Sequence, residues 1–226
     1  MTRVHVICEG QTEEMFVNEV MAVHFVPQGI YLIPSLVGKP GHKGGDLRFV
    51  RLFTDLRARL LSDTSAYCTT LFDFYGLPTK FPGKAAAKRK RSHADKAQCI
   101  LEAVTAELQA ELGERTLRRF IPYVQMYEFE GLLFSDPDSF AEAINEKSLA
   151  GDFLAIREGF ETPEEINDNP QTAPSKRILS LFPGYEKPLY GSLAAIEIGL
   201  AKIRQQCPLF DGWVNRLQSM TGKGNR

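Results

Sequence analysis

Paired cysteines are missing from this sequence. Cys8, Cys68, Cys99 and Cys207 lie far apart and form no C-x-x-C pair. That excludes a zinc ribbon and a disulfide framework, and leaves reduced thiols in a cytoplasm as the expected state. Histidine is scarce too: His5, His24, His42 and His93 show no metal spacing such as H-E-x-x-H, so a zinc site is not expected. Gly41 and Gly44-Gly45 belong to neither G-x-x-x-x-G-K-[ST] nor G-x-G-x-x-G, and no G-x-S-x-G occurs. Neither a nucleotide-cradling loop nor a serine-nucleophile elbow is therefore supported. Charge of one sign is lacking as well: 27 Lys and Arg stand against 28 Asp and Glu, a net of -1, which points to no class of partner. The uncharged run from Val20 to Gly38 approaches the length of a membrane span, but Pro27, Gln28, Gly29 and Pro34 break it, so no membrane segment is expected. Acidic residues from Glu9 onward likewise interrupt any signal-peptide core.

What is present is an ordinary globular composition, 43% hydrophobic and 24% charged over 226 residues, enough to bury a core without metal or disulfide staples. Arg3 to Cys8 is a short β-rich run. Gln11-Thr12-Glu13-Glu14 then supplies a cap and first-turn acids for a helix to about Phe25. Ile30 to Val37 reads as a second strand. Phe49, Leu52, Phe53, Leu56 and Leu60 repeat at helical spacing in a segment opened by Asp46. Tyr67 to Phe74 is apolar without alternation, as a strand covered on both faces should be. A helix marked by Ala94, Ala97, Leu101, Val104, Leu108 and Leu112 and a strand from Phe120 to Tyr127 complete the series. This alternation predicts an α/β fold with a mostly parallel sheet over residues 1–135. Residues 136–226, interrupted by prolines and closed by helices near Ser192–Gln206 and Leu209–Met220, read as a helical, loop-rich extension packed on that core as one compact unit. The last residues, Gly222 to Arg226, are expected to fray.

Ligands of an open parallel sheet collect beyond the carboxyl ends of its strands. There the first strand delivers Glu9-Gly10, the third Asp73 within Phe72-Asp73-Phe74-Tyr75-Gly76, and the fourth Glu128-Phe129-Glu130-Gly131. Glu13, four residues after Glu9, can point back to the same crevice. Carboxylates crowded together repel one another, a cost that a hard cation removes, so the predicted guest is Mg²⁺ or Mn²⁺ held by oxygen ligands. Taken singly, each acid also reads as a helix cap or a turn former.

Charge is unevenly spread despite the neutral total. Lys84, Lys88, Arg89, Lys90 and Arg91 place five positive charges in eight residues after the third strand, a run suited to a nucleic-acid backbone or simply to a solvated loop. Glu128 to Asp168 carries twelve acids against Lys147 and Arg157, and is read mostly as solvated surface. Pro174-Ser175-Lys176-Arg177 serves equally as a helix start with Ser175 as cap, or as a source of cations for a phosphate whose charge grows during reaction. Phe182, Phe210 and Trp213 are spaced as core residues.

Several segments in order then resemble a known bacterial family: Glu9-Gly10-Gln11-Thr12-Glu13, Asp73-Phe74-Tyr75-Gly76-Leu77-Pro78 with Phe81-Pro82-Gly83, Ile121-Pro122-Tyr123-Val124-Gln125, Glu128-Phe129-Glu130, Pro163-Glu164-Glu165-Ile166-Asn167, Ala173-Pro174-Ser175-Lys176-Arg177-Ile178 and Ile198-Gly199-Leu200. Together they resemble the domain-of-unknown-function 4276 family, which is regarded as similar to the metal-binding TOPRIM domains of topoisomerases, primases and OLD-family nucleases. The resemblance implies a TOPRIM-like sheet, with Glu9 and Asp73 at the metal positions and Glu13 as a further ligand. Tyr75 departs from it, standing where a second aspartate belongs, so either Glu128 or Glu130 replaces that carboxylate or metal chemistry has been lost. The expected function is a Mg²⁺- or Mn²⁺-dependent nuclease or related phosphodiester-processing enzyme. Glu9 and Asp73 would be catalytic, Lys176 or Arg177 would stabilise charge, and the Lys84–Arg91 run would grip DNA or RNA. The resemblance also implies a setting in phage defence or mobile elements with an ATPase partner. The alternatives are a catalytically silent subunit of such an ATPase system and an enzyme acting on a small phosphate ester.

Overall fold

The computed structural model describes residues 1–38, 47–166 and 169–222. The expectations placed on Gly41, His42, Gly44, Gly45, Asp46, Asn167, Asp168 and the chain end after Gly222 lie outside the described residues. The first strand forms as β1 (Thr2–Cys8), followed by α1 (Gln11–Phe16), which runs through a π-helical turn at Val17–Met21 into α2 (Ala22–Phe25). Then come β2 (Ile30–Leu36), α3 (Phe49–Ser62), β3 (Tyr67–Leu71), α4 (Lys84–Ala87), α5 (His93–Leu112), α6 (Glu114–Leu117) and β4 (Phe120–Ile121). The four strands pair in the order β2-β1-β3-β4, every neighbouring pair parallel. An all-parallel four-stranded sheet flanked by helices is consistent with the TOPRIM-like arrangement.

The fourth strand is shorter than its composition predicts. Pro122 has no N–H to continue the ladder. The Thr70 hydroxyl takes over instead, accepting from Tyr123 N at 3.1 Å and donating to Tyr123 O at 2.7 Å. Pairing resumes beyond it, where Gln125 N donates to Phe72 O at 2.7 Å and Phe74 N to Gln125 O at 2.8 Å. The segment after β3 is thereby fastened to residues 125–127, a link that brings Asp73 beside the chain leading to Glu130.

Alternate residues of the strands feed two cores, as the period of two requires. Val4, Val6, Cys8, Ile30, Leu32 and Leu71 pack into one, and Ile7, Cys68, Phe72 and Phe120 into the other, beneath α3 and α5. The first core also takes in the C-terminal part of the chain: a 3₁₀ turn at Phe129–Ser135, α7 (Pro137–Ala143), α8 (Ala150–Glu158), α9 (Pro174–Leu181), α10 (Ser192–Gln206) and α11 (Pro208–Gln218). Phe134, Phe140, Phe153, Phe210 and Trp213 are buried in it, Phe210 and Trp213 as their spacing predicts, whereas Phe182 is only half-buried against it. Trp213 fastens α11 to the sheet, because its indole stacks on Tyr123 with centroids 4.4 Å apart and its Nε1 donates to Thr69 Oγ1 at 2.8 Å. Among the described residues no helix is long and apolar enough to cross a membrane.

Glu164 shows how the extension closes on itself. Its fully buried carboxylate accepts from Leu209 N at 2.8 Å and Phe210 N at 2.9 Å, capping the start of α11. Burial pushes its pKa from 4.5 to about 7 against those two hydrogen bonds. The folded state therefore binds more protons than the unfolded state between these values, and this contribution is full below pH 4.5 and lost as pH rises through 7. The stability of wild type relative to Glu164→Gln should accordingly fall by up to about 3 kcal/mol across that window and level off above it, as read by urea melts at several pH values. Trp213→Ala, which removes both the stack and the hydrogen bond, should cost about 3–5 kcal/mol in the same assay at fixed pH.

Candidate active site

Three strand ends meet at one crevice. β1 runs out at Cys8, with Glu9 N donating to Leu71 O of the neighbouring strand at 3.2 Å, so Glu9 starts level with the end of β3. The Glu9 side chain then reaches across, its Oε2 accepting from Asp73 N at 3.0 Å. A Cβ on Gly76 would overlap that carboxylate, so the glycine leaves the space in which Glu9 lies. One turn into α1, Glu13 Oε2 accepts from Gly10 N at 2.8 Å. This is the capping role its position predicts, while its Oε1 faces the crevice. Glu130 enters from the 3₁₀ turn and is fully buried.

A lysine that sequence reasoning did not single out holds this cluster together. Lys187 begins a π-helical turn, Lys187–Gly191, that leads directly into α10. Its Nζ lies 3.0 Å from Asp73 Oδ2, 3.2 Å from Glu130 Oε2 and 3.5 Å from Glu13 Oε1. Burial alone would lower the pKa of this ammonium, but Asp73, Glu130 and Glu13 outweigh it and hold it well above the ordinary range. Burial pushes the acids upward: Glu9 to about 7 despite its hydrogen bond from Asp73 N, and Asp73 well above its usual value despite Lys187. Glu130 is raised for the same reason, again with Lys187 opposing. Desolvation is the largest cause for each of these three acids, and the neighbouring carboxylates add to it, so the crevice favours their neutral forms more than water does.

Oxygens remain without a hydrogen bond there, and of these only Glu130 Oε2 and Glu13 Oε1 have Lys187 at ion-pair distance. Asp73 Oδ1, Glu13 Oε1 and both Glu130 oxygens are buried and accept no hydrogen bond, and the Tyr185 hydroxyl beside them is equally unpaired. Among the described residues no group of three or more His, Cys, Asp or Glu side chains is drawn in tightly enough, as it stands, to hold a metal ion. The oxygens gathered 3.0–3.5 Å around the Lys187 nitrogen would have to close by about 1 to 1.5 Å to meet the roughly 2.0–2.1 Å of Mg²⁺. The all-oxygen donor set, with unpaired buried carboxylate oxygens, suits such a hard cation chemically.

Other predicted residues lie elsewhere. Glu128 is not in the cluster; its Oε2 accepts from Ser175 N at 2.9 Å, at the start of α9. The Pro174–Arg177 segment is a helix start, with Ala173 and not Ser175 at the cap. Its cations do not serve the crevice: Lys176 is exposed, and Arg177 donates to Thr172 O at 2.8 Å and lies over the Phe160 ring. Lys84 also departs from its expected place on an exposed loop. It is buried, its Nζ donating to Phe74 O and sitting 3.4 Å from the centroid of that ring. Burial, helped by Lys88, lowers its pKa to about 7. Its contact pins the turn that carries Asp73. Lys88, Arg89, Lys90 and Arg91 are exposed, as a backbone-gripping run or a solvated loop would both be. Tyr75, where the resemblance calls for an aspartate, packs its ring against Tyr127 with centroids 5.3 Å apart.

Gly76→Ala should force the Glu9 carboxylate out of its bed while leaving the core intact. Carboxyl ¹³C NMR titration is expected to show Glu9 falling from about 7 toward 4.5 by about one unit or more. An unchanged Glu9 titration would contradict the packing described.

A family model described as a domain of unknown function (DUF4276) matches residues 8–218. No curated protein and no solved structure matches the chain.

Proposed function

The chain belongs to the family described as Domain of unknown function (DUF4276), and from that premise we propose that it is a metal-dependent phosphodiester hydrolase acting on nucleic acid. The observation that carries this reading is the meeting of Glu13, Asp73 and Glu130 around one cation, with Glu9 hydrogen-bonded to Asp73 N beside them, at a buried crevice with unpaired carboxylate oxygens. A structural role alone does not call for such a cluster, because replacing buried charges with apolar groups is often neutral or stabilising. Glu9, Asp73, Glu13 and Glu130 would hold Mg²⁺ or Mn²⁺, which when bound supplies a water of lowered pKa and a partner for a phosphate oxygen. Lys187 brings a permanent positive charge to where a phosphate would enter.

The exposed run Lys88-Arg89-Lys90-Arg91 follows the turn that carries Asp73 and offers phosphates a strip of positive charge. Lys84, Lys176 and Arg177 are left out of the functional assignment, since their side chains are engaged or placed elsewhere. The four cysteines are free, which suits a reducing cytoplasm. An ATPase partner, as the resemblance implies, belongs to the same proposal and would be sought by co-purification.

One observation favours a second reading. Lys187 already offsets the acids without any ion, so the cluster can persist as a structural ion-pair network in a catalytically silent subunit. Calorimetric titration with Mn²⁺ separates the two. The enzyme reading expects binding in wild type, weakened at least tenfold in Glu9→Gln and Asp73→Asn, with metal-dependent cleavage of DNA or RNA reduced at least a hundredfold while the melting temperature is kept. Absence of Mn²⁺ binding in the folded wild type favours the silent subunit.

A further inference from the structure

One side of α10 is spent on the core, where Ala194, Ala195, Ile198 and Ile203 are buried. A second apolar stripe is left outside it. Leu193 and Ile196 on α10 are 44% and 48% exposed, and Leu189, in the turn that leads into the helix, is 49% exposed. Their spacing of four and three residues lines them along one side. Met15 of α1 is 41% exposed and joins them, its Sδ lying 3.6 Å from Ser192 Oγ. The two elements are in close contact there, since a Cβ on Gly191 would lie 3.5 Å from Thr12 Cγ2. The stripe therefore spans a seam between two fixed elements. A helix that is apolar on two sides has more to cover than the core takes, and a contiguous apolar patch marks an interaction surface.

The rim of this stripe is acidic. Glu19 follows Met15 by four residues, Glu197 follows Leu193 by four, and Glu186 precedes Leu189 by three; all three glutamates are exposed. No Lys or Arg occurs from Gln11 to Phe25 or from Pro188 to Ala201. Lys187 is engaged by the crevice acids, and Lys202 and Arg204 lie against Asp136 and Asp211. We propose that the seam between α1 and α10 is a docking surface for a partner protein that presents a basic amphipathic helix. The apolar side of that helix covers Met15, Leu189, Leu193 and Ile196, and its Lys or Arg side chains meet Glu19, Glu186 and Glu197. A second copy of this chain fits less well, because two-fold pairing of the stripe brings the glutamates of one copy toward those of the other. Size points the same way: four side chains, each less than half exposed, make a patch well below the roughly 800 Å² that each partner of a stable interface contributes. Leu189 shares a turn with Lys187, and Met15 shares α1 with Glu13, so the occupant sits on two elements that build the crevice. Docking does not depend on the chemistry there.

The test uses the full chain and two designed peptides, each about four helical turns long, with leucine at helical spacing and either lysine or glutamate at the remaining positions. In fluorescence anisotropy titrations the lysine peptide should bind about tenfold or more tightly than the glutamate peptide. Leu193→Ser combined with Ile196→Ser should weaken it by about tenfold or more at an unchanged melting temperature, both side chains being exposed. Glu19→Lys combined with Glu197→Lys should reverse the preference between the two peptides. In methyl NMR spectra of wild type, Met15, Leu189, Leu193 and Ile196 should shift on saturation with the lysine peptide. No binding of that peptide, equal binding of both, or binding unmoved by the apolar substitutions would overturn the proposal. So would self-association of wild type that Leu193→Ser abolishes, which assigns the stripe to a second copy, or attachment to phosphatidylcholine vesicles without peptide binding, which assigns it to lipid.

Discussion

Gathering four carboxylates, three of them buried and Glu9 half-buried, at the end of a parallel sheet is the constraint around which this molecule is arranged, and one ammonium meets most of it. Coulomb repulsion among Glu9, Glu13, Asp73 and Glu130 grows as water is excluded, and desolvation penalises each charge separately. Lys187 opposes both effects by lying within 3.5 Å of three of them. Its arrival explains why the C-terminal extension cannot be regarded as an ornament on the α/β core. The turn carrying Lys187 leads into α10, α10 packs with the Phe129–Ser135 segment, and α11 is tied to the sheet through Trp213 and Thr69. The apolar core and the polar crevice are therefore built from the same elements.

The surroundings of Asp73 show a second layer of the same logic. A turn holding a buried acid has to be rigid if the acid is to stay near its cation. Here Phe74 and Tyr75 are hydrogen-bonded to Gln125 and Tyr127 through their backbones, and Lys84 clamps the Phe74 carbonyl from beneath. Gly76 supplies the space for Glu9. These groups touch no ligand in the proposed chemistry, yet they decide where two of the four carboxylates stand.

How far the crevice was legible depends on distance along the chain. Glu9 and Asp73 follow strands recognisable from composition, and ligands of parallel sheets lie beyond strand ends, so their meeting is foreseeable. Glu13 follows from helical spacing after Glu9. Glu128 stands extended just before the 3₁₀ turn and Glu130 lies within it, so their side chains diverge; only the packed turn assigns Glu130 to Lys187 and Glu128 to Ser175 N. Lys84 was misleading because a run of positive charge reads as exposed, whereas the aromatic Phe74 and a nearby carbonyl supply a buried place for its first member. Lys187 had no local signal, since it lies in a proline-interrupted segment far from every acid it contacts.

By itself the sequence determined the alternation of strands and helices, the acids at strand ends and the apolar faces that become the cores, because periodicity and turn chemistry are properties of neighbouring residues. Only the tertiary structure decided which oxygens share a cation, which of two glutamates turns inward, and that the cation comes from the extension. Those outcomes depend on long-range packing, where a rotation of one turn exchanges one side chain for another, and no local pattern encodes it.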